Sequence, residues 1–339
     1  MSFNLQIADE NMVDLWNNAV NSSAHGSIFH TWKWLKIVEK NTNYTLFPLI
    51  INRGETLVSV FPIFYRKSIF LKEAVSPPDR TFLLYLGPVI PDYESLKQSK
   101  RETYLLEIQR ETDNYIFSKL GCNYVRINSS PGLKDSRPYQ WAGYQVNPSY
   151  TYRLDLSNGF DSLWNQFNRP VRKMINAMYK KGIKIKDGDK SDLKYIYELL
   201  SIRFQDQKKK VKKLDNWNYL SDLYDEFYGK NMKIFMAEYN ENLIGGVVLL
   251  YFSNIVYFWI GVPKSDLKGI SANEIIYWES IKWAYNNGFL YLDQMDGGDN
   301  RRLRRFKSKF NPDLYPYHMM IKNKSTIYKS AKYLAKKMK

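Results

Sequence analysis

Apolar positions in this chain follow two rhythms. Residues 46–64 are short apolar runs on either side of Asn52-Arg-Gly54, and residues 233–251 are the same around Asn240-Glu-Asn242. Each stretch predicts a strand, a turn and a second strand. Helical spacing precedes both, over 11–20 and 31–39 in the first half and over 192–207 and 218–227 in the second. Residues 243–262 carry no charge, yet Ser253-Asn254 interrupts them and β-branched and aromatic residues dominate. That pattern predicts a buried hairpin rather than a membrane-spanning helix. Over 272–287, Ile275, Ile276, Trp278, Ile281, Trp283 and Ala284 predict a mostly buried helix that Gly288 stops.

The pattern repeats. Gly121-Cys-Asn-Tyr-Val-Arg-Ile127 leads to Trp141-Ala-Gly-Tyr-Gln-Val-Asn-Pro148 and a strand from Tyr150. Gly288-Phe-Leu-Tyr-Leu-Asp-Gln294 leads to Phe306-Lys-Ser-Lys-Phe-Asn-Pro312 and a strand from Tyr315. Three landmarks recur in order at offsets of 167, 165 and 164 residues. Self-similarity of this kind marks two copies of one supersecondary unit. Helices, an antiparallel meander, a helix and closing strands make each copy α+β, with mostly antiparallel mixed sheets flanked by helices. We place the first domain at 1–148 and the second at 149–316, with 317–339 expected to pack back on the first.

Composition narrows the chemistry. Among 339 residues, 50 are Lys or Arg and 34 are Asp or Glu, a net charge of +16, so anionic partners are expected. A single cysteine, Cys122, forbids an intrachain disulfide, and three histidines with one cysteine make a zinc site improbable. No metal is expected. The first ten residues carry Asp9 and Glu10 and no basic segment leading into an apolar run, so no signal peptide is expected and a cytoplasmic location is. Walker, Gly-x-Gly-x-x-Gly, Gly-x-Ser-x-Gly and His-Glu-x-x-His patterns are all missing.

The densest block runs from Trp278 through Gly288 and Asp293 to Gly298, then to Arg304-Arg-Phe-Lys307-Ser-Lys-Phe310. It resembles the C-terminal block of the Fem-type aminoacyltransferases: Trp-x-x-Ile-x-x-Ala, Gly, Tyr-x-Asp-x-x-Gly, Phe-Lys-x-x-Phe. Phe29-His-Thr-Trp-Lys-Trp34 is similar to the family's Phe-Gln-Ser-x-x-Trp segment, with His30 in place of Gln. Leu86-Gly-Pro-Val-Ile-Pro-Asp92 is similar to its Gly-Pro-Val-x-Asp segment, with one residue more before the Asp. The stretch from Ser162 to Ile185 is similar to the helical lead into the second domain. The resemblance covers nearly the whole chain and implies two tandem acyltransferase domains of the GNAT fold. It implies aminoacyl transfer from an aminoacyl-tRNA, without further cofactor, to an amine on a nucleotide- or lipid-linked muropeptide precursor.

Carried over residue by residue, the resemblance makes Lys307 the cation facing the developing oxyanion and Asp92 the residue that positions or deprotonates the amine. Lys36 and Arg203 would hold the precursor's phosphates, and Tyr257 and Trp259 would line the cleft. Each has an ordinary structural reading too. Lys307 sits in a basic run that could be a solvated face, and Lys36 could be a surface lysine. Arg203 could pair within its helix, Asp92 could be a turn residue after Pro91, and the two aromatics could be core. GNAT domains that use acetyl-CoA carry Arg/Gln-x-x-Gly-x-Gly/Ala before the main helix. Here that stretch is Asp266-Leu-Lys-Gly269-Ile-Ser271-Ala272, which disfavours that donor.

Two alternatives stand beside this reading. One is an acetyl-CoA-dependent N-acyltransferase acting on an amino sugar of a surface polymer. The other is a non-catalytic nucleic-acid-binding protein. The basic tail, 326–339, has apolar and Lys positions at helical spacing and is expected to meet its own protein, tRNA or the inner face of an anionic membrane.

Overall fold

The computed structural model describes residues 2–69, 71–206, 217–263, 269–296 and 301–324. The chain divides into two units, Met1–Ser149 with Pro316–Lys339, and Tyr150–Tyr315. The tail helix expected over 326–339 lies outside the described residues, as do Asp266, Lys268 and the pair Gly297-Gly298.

The first unit runs β1 (Phe3–Ile7), α1 (Val13–Asn21), α2 (Trp32–Asn41), β2 (Thr45–Arg53), β3 (Thr56–Lys67), β4 (Lys72–Ser76), α3 (Gln98–Asn114), β5 (Tyr124–Asn128) and α4 (Arg137–Trp141). Strands β1 to β5 lie side by side in chain order. All neighbours are antiparallel except β4 and β5, which are parallel because α3 carries the chain across between them. Leu49, Ile51, Phe61 and Ile63 from the sheet pack with Leu105 and Ile108 of α3 to form this unit's core.

The second unit takes up β6 (Gln145–Asp155), α5 (Phe160–Gln166), α6 (Arg169–Lys180), β7 (Lys184–Asp187), α7 (Lys190–Asp206), α8 (Trp217–Phe227), β8 (Met232–Tyr239), β9 (Asn242–Phe252), β10 (Ile255–Pro263), α9 (Ala272–Asn286), β11 (Tyr291–Asp296) and α10 (Arg301–Lys307). Its strand order is β6-β11-β10-β9-β8-β7, with only β10 and β11 parallel. The last strand, β12 (Asp313–Asn323), pairs antiparallel with β5 from Met319↔Asn128 to Asn323↔Tyr124.

The uncharged stretch 243–262 is the expected hairpin, β9 and β10, turning at Ser253, whose φ is +51°. Between β8 and β9, Asn240 and Glu241 both hold positive φ, 48° and 62°. A two-residue loop that matches the right-handed twist of a hairpin requires that pair of conformations. Over 52–54 the turn forms later than expected: β2 runs on through Arg53, and Gly54, at φ +59°, makes the reversal. The basic run from Arg301 forms a helix, α10.

Candidate active site

The site grows out of the parallel pair in the second unit. Helix α9 returns the chain from β10 to β11, and three residue pairs hold the strands together: Ile255↔Tyr291, Val256↔Leu292 and Tyr257↔Asp293. Beyond Asp293, β11 bulges against β6, and Met295 takes a φ of +58°. A bulge frees strand groups from the ladder and re-aims the side chains around it.

Asp293 fastens that bulge. Its carboxylate is fully buried and accepts the Met295 N–H at 2.7 Å. The Thr151 hydroxyl of β6 lies 2.5 Å from Oδ1, and the Arg153 guanidinium 3.4 Å from Oδ2. A buried carboxylate is costly unless it has a charge partner and hydrogen bonds, and Asp293 has both. Its role is to hold the backbone in place. Arg153 also lies over the Tyr315 ring, 4.4 Å from its centroid.

Lys307 ends α10. The arginines before it, Arg301, Arg302, Arg304 and Arg305, are exposed, whereas Lys307 is only 6% exposed. Its Nζ donates to the Gln294 carbonyl at 2.6 Å. The solvated-face reading therefore fails at this one position. Phe306 and Phe310, on either side of it, pack against the Tyr277 ring of α9. An ammonium carries three donors, and one of Lys307's is committed to this carbonyl.

Tyr257 and Trp259 on β10 are buried, at 2% and 8% exposure. They belong to the interior rather than to the wall of an open cleft. Burial raises the Tyr257 phenol above its ordinary range, with Arg153 opposing and Asp293 adding to the shift. The Tyr277 phenol is raised for the same chief reason.

The remaining expected residues sit elsewhere. Lys36, on α2 of the first unit, pairs with Glu39 at 2.6 Å and lies 3.9 Å from Glu10. Asp92, also in the first unit, is exposed at a φ of +48°, and its carbonyl accepts from the Ser95 N–H and hydroxyl at 2.9 and 2.8 Å. Its backbone is that of a turn, and its carboxylate faces solvent. The Arg203 side chain lies outside the described residues. Lys307, Tyr257 and Trp259 thus share one unit, while Lys36 and Asp92 belong to the other.

Gln294, Thr151, Arg153 and Tyr277 escaped the sequence reading. No local pattern in the sequence singled out any of the four. Among the described residues no group of three His, Cys, Asp or Glu side chains could hold a metal ion. No described helix is long and apolar enough to cross a membrane.

Residues 165–308 match the family model described as an acetyltransferase (GNAT) domain. No curated protein matches the chain in sequence. Among solved structures the chain is similar to FemX, with a TM-score of 0.70, 14% identity and coverage of 96% of this chain and 99% of that one. It is similar to a tandem GNAT protein from the clavulanic acid biosynthesis pathway, with a TM-score of 0.57, 8% identity and coverage of 94% and 97%. It is also similar to L-PGS from Bacillus licheniformis, with a TM-score of 0.56, 12% identity and coverage of 94% and 93%. The chain has a tandem GNAT fold, and residues 165–308 of its second unit match an acetyltransferase (GNAT) domain.

Proposed function

We propose that the chain transfers an aminoacyl group from an aminoacyl-tRNA to a primary amine of a nucleotide- or lipid-linked muropeptide precursor on the cytoplasmic side of the membrane. The observation that carries this reading is the Lys307 ammonium, buried at the end of a basic helix and fixed on the Gln294 carbonyl. The amine nitrogen attacks the ester carbonyl carbon, a C–N bond forms, and the carbonyl oxygen takes negative charge. A preorganised cation in a water-poor site stabilises that charge at little reorganisation cost. Collapse breaks the ester C–O bond. The amine's proton passes to a carboxylate, for which we propose Asp92, and ends on the released ribose hydroxyl. Lys36 and Arg203 are proposed to hold the acceptor's phosphates, the arginine as a bidentate fork.

A second reading has its own support, since the matching family model is described as an acetyltransferase. On it the donor is acetyl-CoA and the acceptor an amino sugar of a surface polymer. Thermal melting of the purified protein with CoA, with a sugar nucleotide and with aminoacyl-tRNA separates the two, because a ligand bound only by the native state raises the melting temperature. Transfer of a labelled amino acid from tRNA to a muropeptide supports the first reading. Transfer of labelled acetyl only from acetyl-CoA overturns it.

A further inference from the structure

The described hairpin turns of this chain are polar with one exception. Gly54-Glu55 joins β2 to β3, Asn240-Glu241 joins β8 to β9, and Ser253-Asn254 joins β9 to β10. Such residues suit turns because they bond their own backbone or tolerate positive φ. Between β3 and β4 the last pair is Lys67↔Lys72, and the residues beyond it are Ser68-Ile-Phe-Leu71. The Ser68 N–H donates to the Leu71 carbonyl at 2.7 Å and closes the turn. Ile69 is 90% exposed, more than any other large apolar side chain described. A lone exposed apolar residue is ordinary. Here the sequence sets Phe70 beside it and a lysine on each side of the turn.

The same end of the sheet, within the first unit, gathers cations. The Lys72 N–H donates to Asn123 Oδ1 at 3.1 Å, and the Lys72 carbonyl accepts the Asn123 N–H at 2.9 Å. The Asn123 carbonyl accepts the Lys324 N–H at 2.8 Å, just past the last pair of β5 with β12, Tyr124↔Asn323. A Cβ on Gly121 would stand 3.3 Å from Lys72 Nζ, which brings the chain after Lys119 to this end as well. Lys67, Lys119 and Lys324 are exposed. Two acids here are already answered: Glu73 pairs with Arg66 and accepts the Tyr44 hydroxyl at 2.8 Å, and Asp113 pairs with Lys322 at 2.9 Å. No described residue makes an ion pair with Lys67, Lys72 or Lys119. Beside the turn is a recess of about 420 Å³ whose wall includes Arg66, Lys67 and Ser68. From Lys324 the sequence continues into 325–339, which holds five lysines and no acid.

We propose that the β3–β4 turn is a membrane-docking element: Ile69 enters the headgroup region of an anionic bilayer while Lys67, Lys72, Lys119 and Lys324 meet lipid phosphates at its surface. The charges draw the protein to the bilayer, and the apolar tip holds it there by leaving water. The recess, with a guanidinium and an ammonium on its wall, suits the phosphate of one lipid. A nucleic acid would meet the same charges but offers an aliphatic turn nothing to enter. The inference goes beyond the aminoacyl-transfer reading and holds whichever acyl donor the chain uses.

The test is flotation of the full chain with vesicles of phosphatidylcholine, alone or mixed with phosphatidylglycerol. Wild type is expected to bind only the mixed vesicles at low salt. Ile69→Asn keeps every charge and puts a turn-favoured residue at an exposed position. It is expected to melt as wild type does and to bind about 10-fold more weakly. Lys67→Gln with Lys72→Gln is expected to weaken binding by about 30-fold. A dye reads the contact directly. Burial pushes the Cys122 thiol up to about 12, so a maleimide dye goes to an introduced cysteine. On Ile69→Cys its emission is expected to shift to the blue with mixed vesicles. On Glu55→Cys, in the turn at the other end of β3, it is expected to stay as in water. Binding of Ile69→Asn equal to that of wild type would overturn the proposal and leave the attraction to the tail. So would an unshifted dye at position 69, or a wild type that ignores mixed vesicles. Lysine substitutions that weaken tRNA binding but not vesicle binding would also overturn it, and would make this face a nucleic-acid surface.

Discussion

Single residues here depart from their neighbours in ways that chemistry can test. Lys307 is the one buried cation in a helix of exposed arginines. If its ammonium meets the oxyanion, Lys307→Met should lower turnover by about 10²–10³ while leaving the circular dichroism spectrum native. Near-normal turnover would return the residue to a structural role. His25 and His30 are the second case. Both are buried in the first unit, His25 with Nε2 accepting the Ile90 N–H at 3.1 Å and His30 with Nδ1 2.8 Å from the Ser27 hydroxyl. Burial, aided by the charge of His30, takes His25 down to about 3, and burial takes His30 down to about 4. The unfolded chain binds protons at these imidazoles below about pH 6.5, and the folded chain does not. Their stabilisation is therefore full above 6.5 and falls as the pH drops towards 4 and then 3. At pH 5 the loss should approach about 2 kcal/mol per histidine. Urea midpoints at pH 7.5 and 5 measure it, and His30→Gln should flatten part of the decline.

Elements were more legible than residues. The hairpins β2–β3, β8–β9 and β9–β10 follow from short apolar, β-branched and aromatic runs and from turn chemistry, which act locally, and α9 follows from its apolar spacing and Gly288. What local pattern could not show is tertiary. Arg301 to Lys307 reads as charge, and it becomes helix α10 because Lys307 and Phe306 turn inward, one to a carbonyl and the other to the Tyr277 ring. Gln294, whose side-chain amide is buried without a partner, could be singled out only once its surroundings were known. The Gly-Pro-Val segment was visible as a motif, but its place between strands was not: the Leu86 N–H donates to the Asn128 carbonyl at 2.9 Å, and Val89 exchanges two backbone bonds with Val60 of β3. That place makes Gly87 exacting. At φ +80°, with the Ser129 Cα 3.0 Å from a would-be Cβ, Gly87→Ala should cost about 1–3 kcal/mol, read as a lower urea midpoint. Gly143→Ala, also at positive φ but with nothing within 4 Å, should show the conformational penalty without the clash.

Charge is the property that only the whole molecule shows. Of the net +16, thirteen basic residues against the single Asp313 place +12 in residues 301–339. Within the second unit α6 adds Arg169, Arg172, Lys173 and Lys180, and no acid occurs from 169 to 186. The Asn168 N–H donates to the Lys309 carbonyl at 2.9 Å, and the Phe167 and Phe310 rings meet 5.1 Å apart. The start of α6 and the end of the α10 segment are thus neighbours, and the cations of both collect on one unit beside Lys307. Such a concentration repels itself and is neutralised most effectively by a phosphate backbone, whose condensed counterions are released on binding. If tRNA is the donor, its affinity should fall steeply with salt. With about four phosphates neutralised, a rise from 50 to 200 mM lowers binding by about 10². Filter binding across that range gives the slope. Arg304→Gln with Arg305→Gln should flatten it by nearly two charges, and deletion of 326–339 measures the tail separately. A slope near zero in the intact protein would mean that these charges serve solvation alone, and a small soluble donor would then be the better reading.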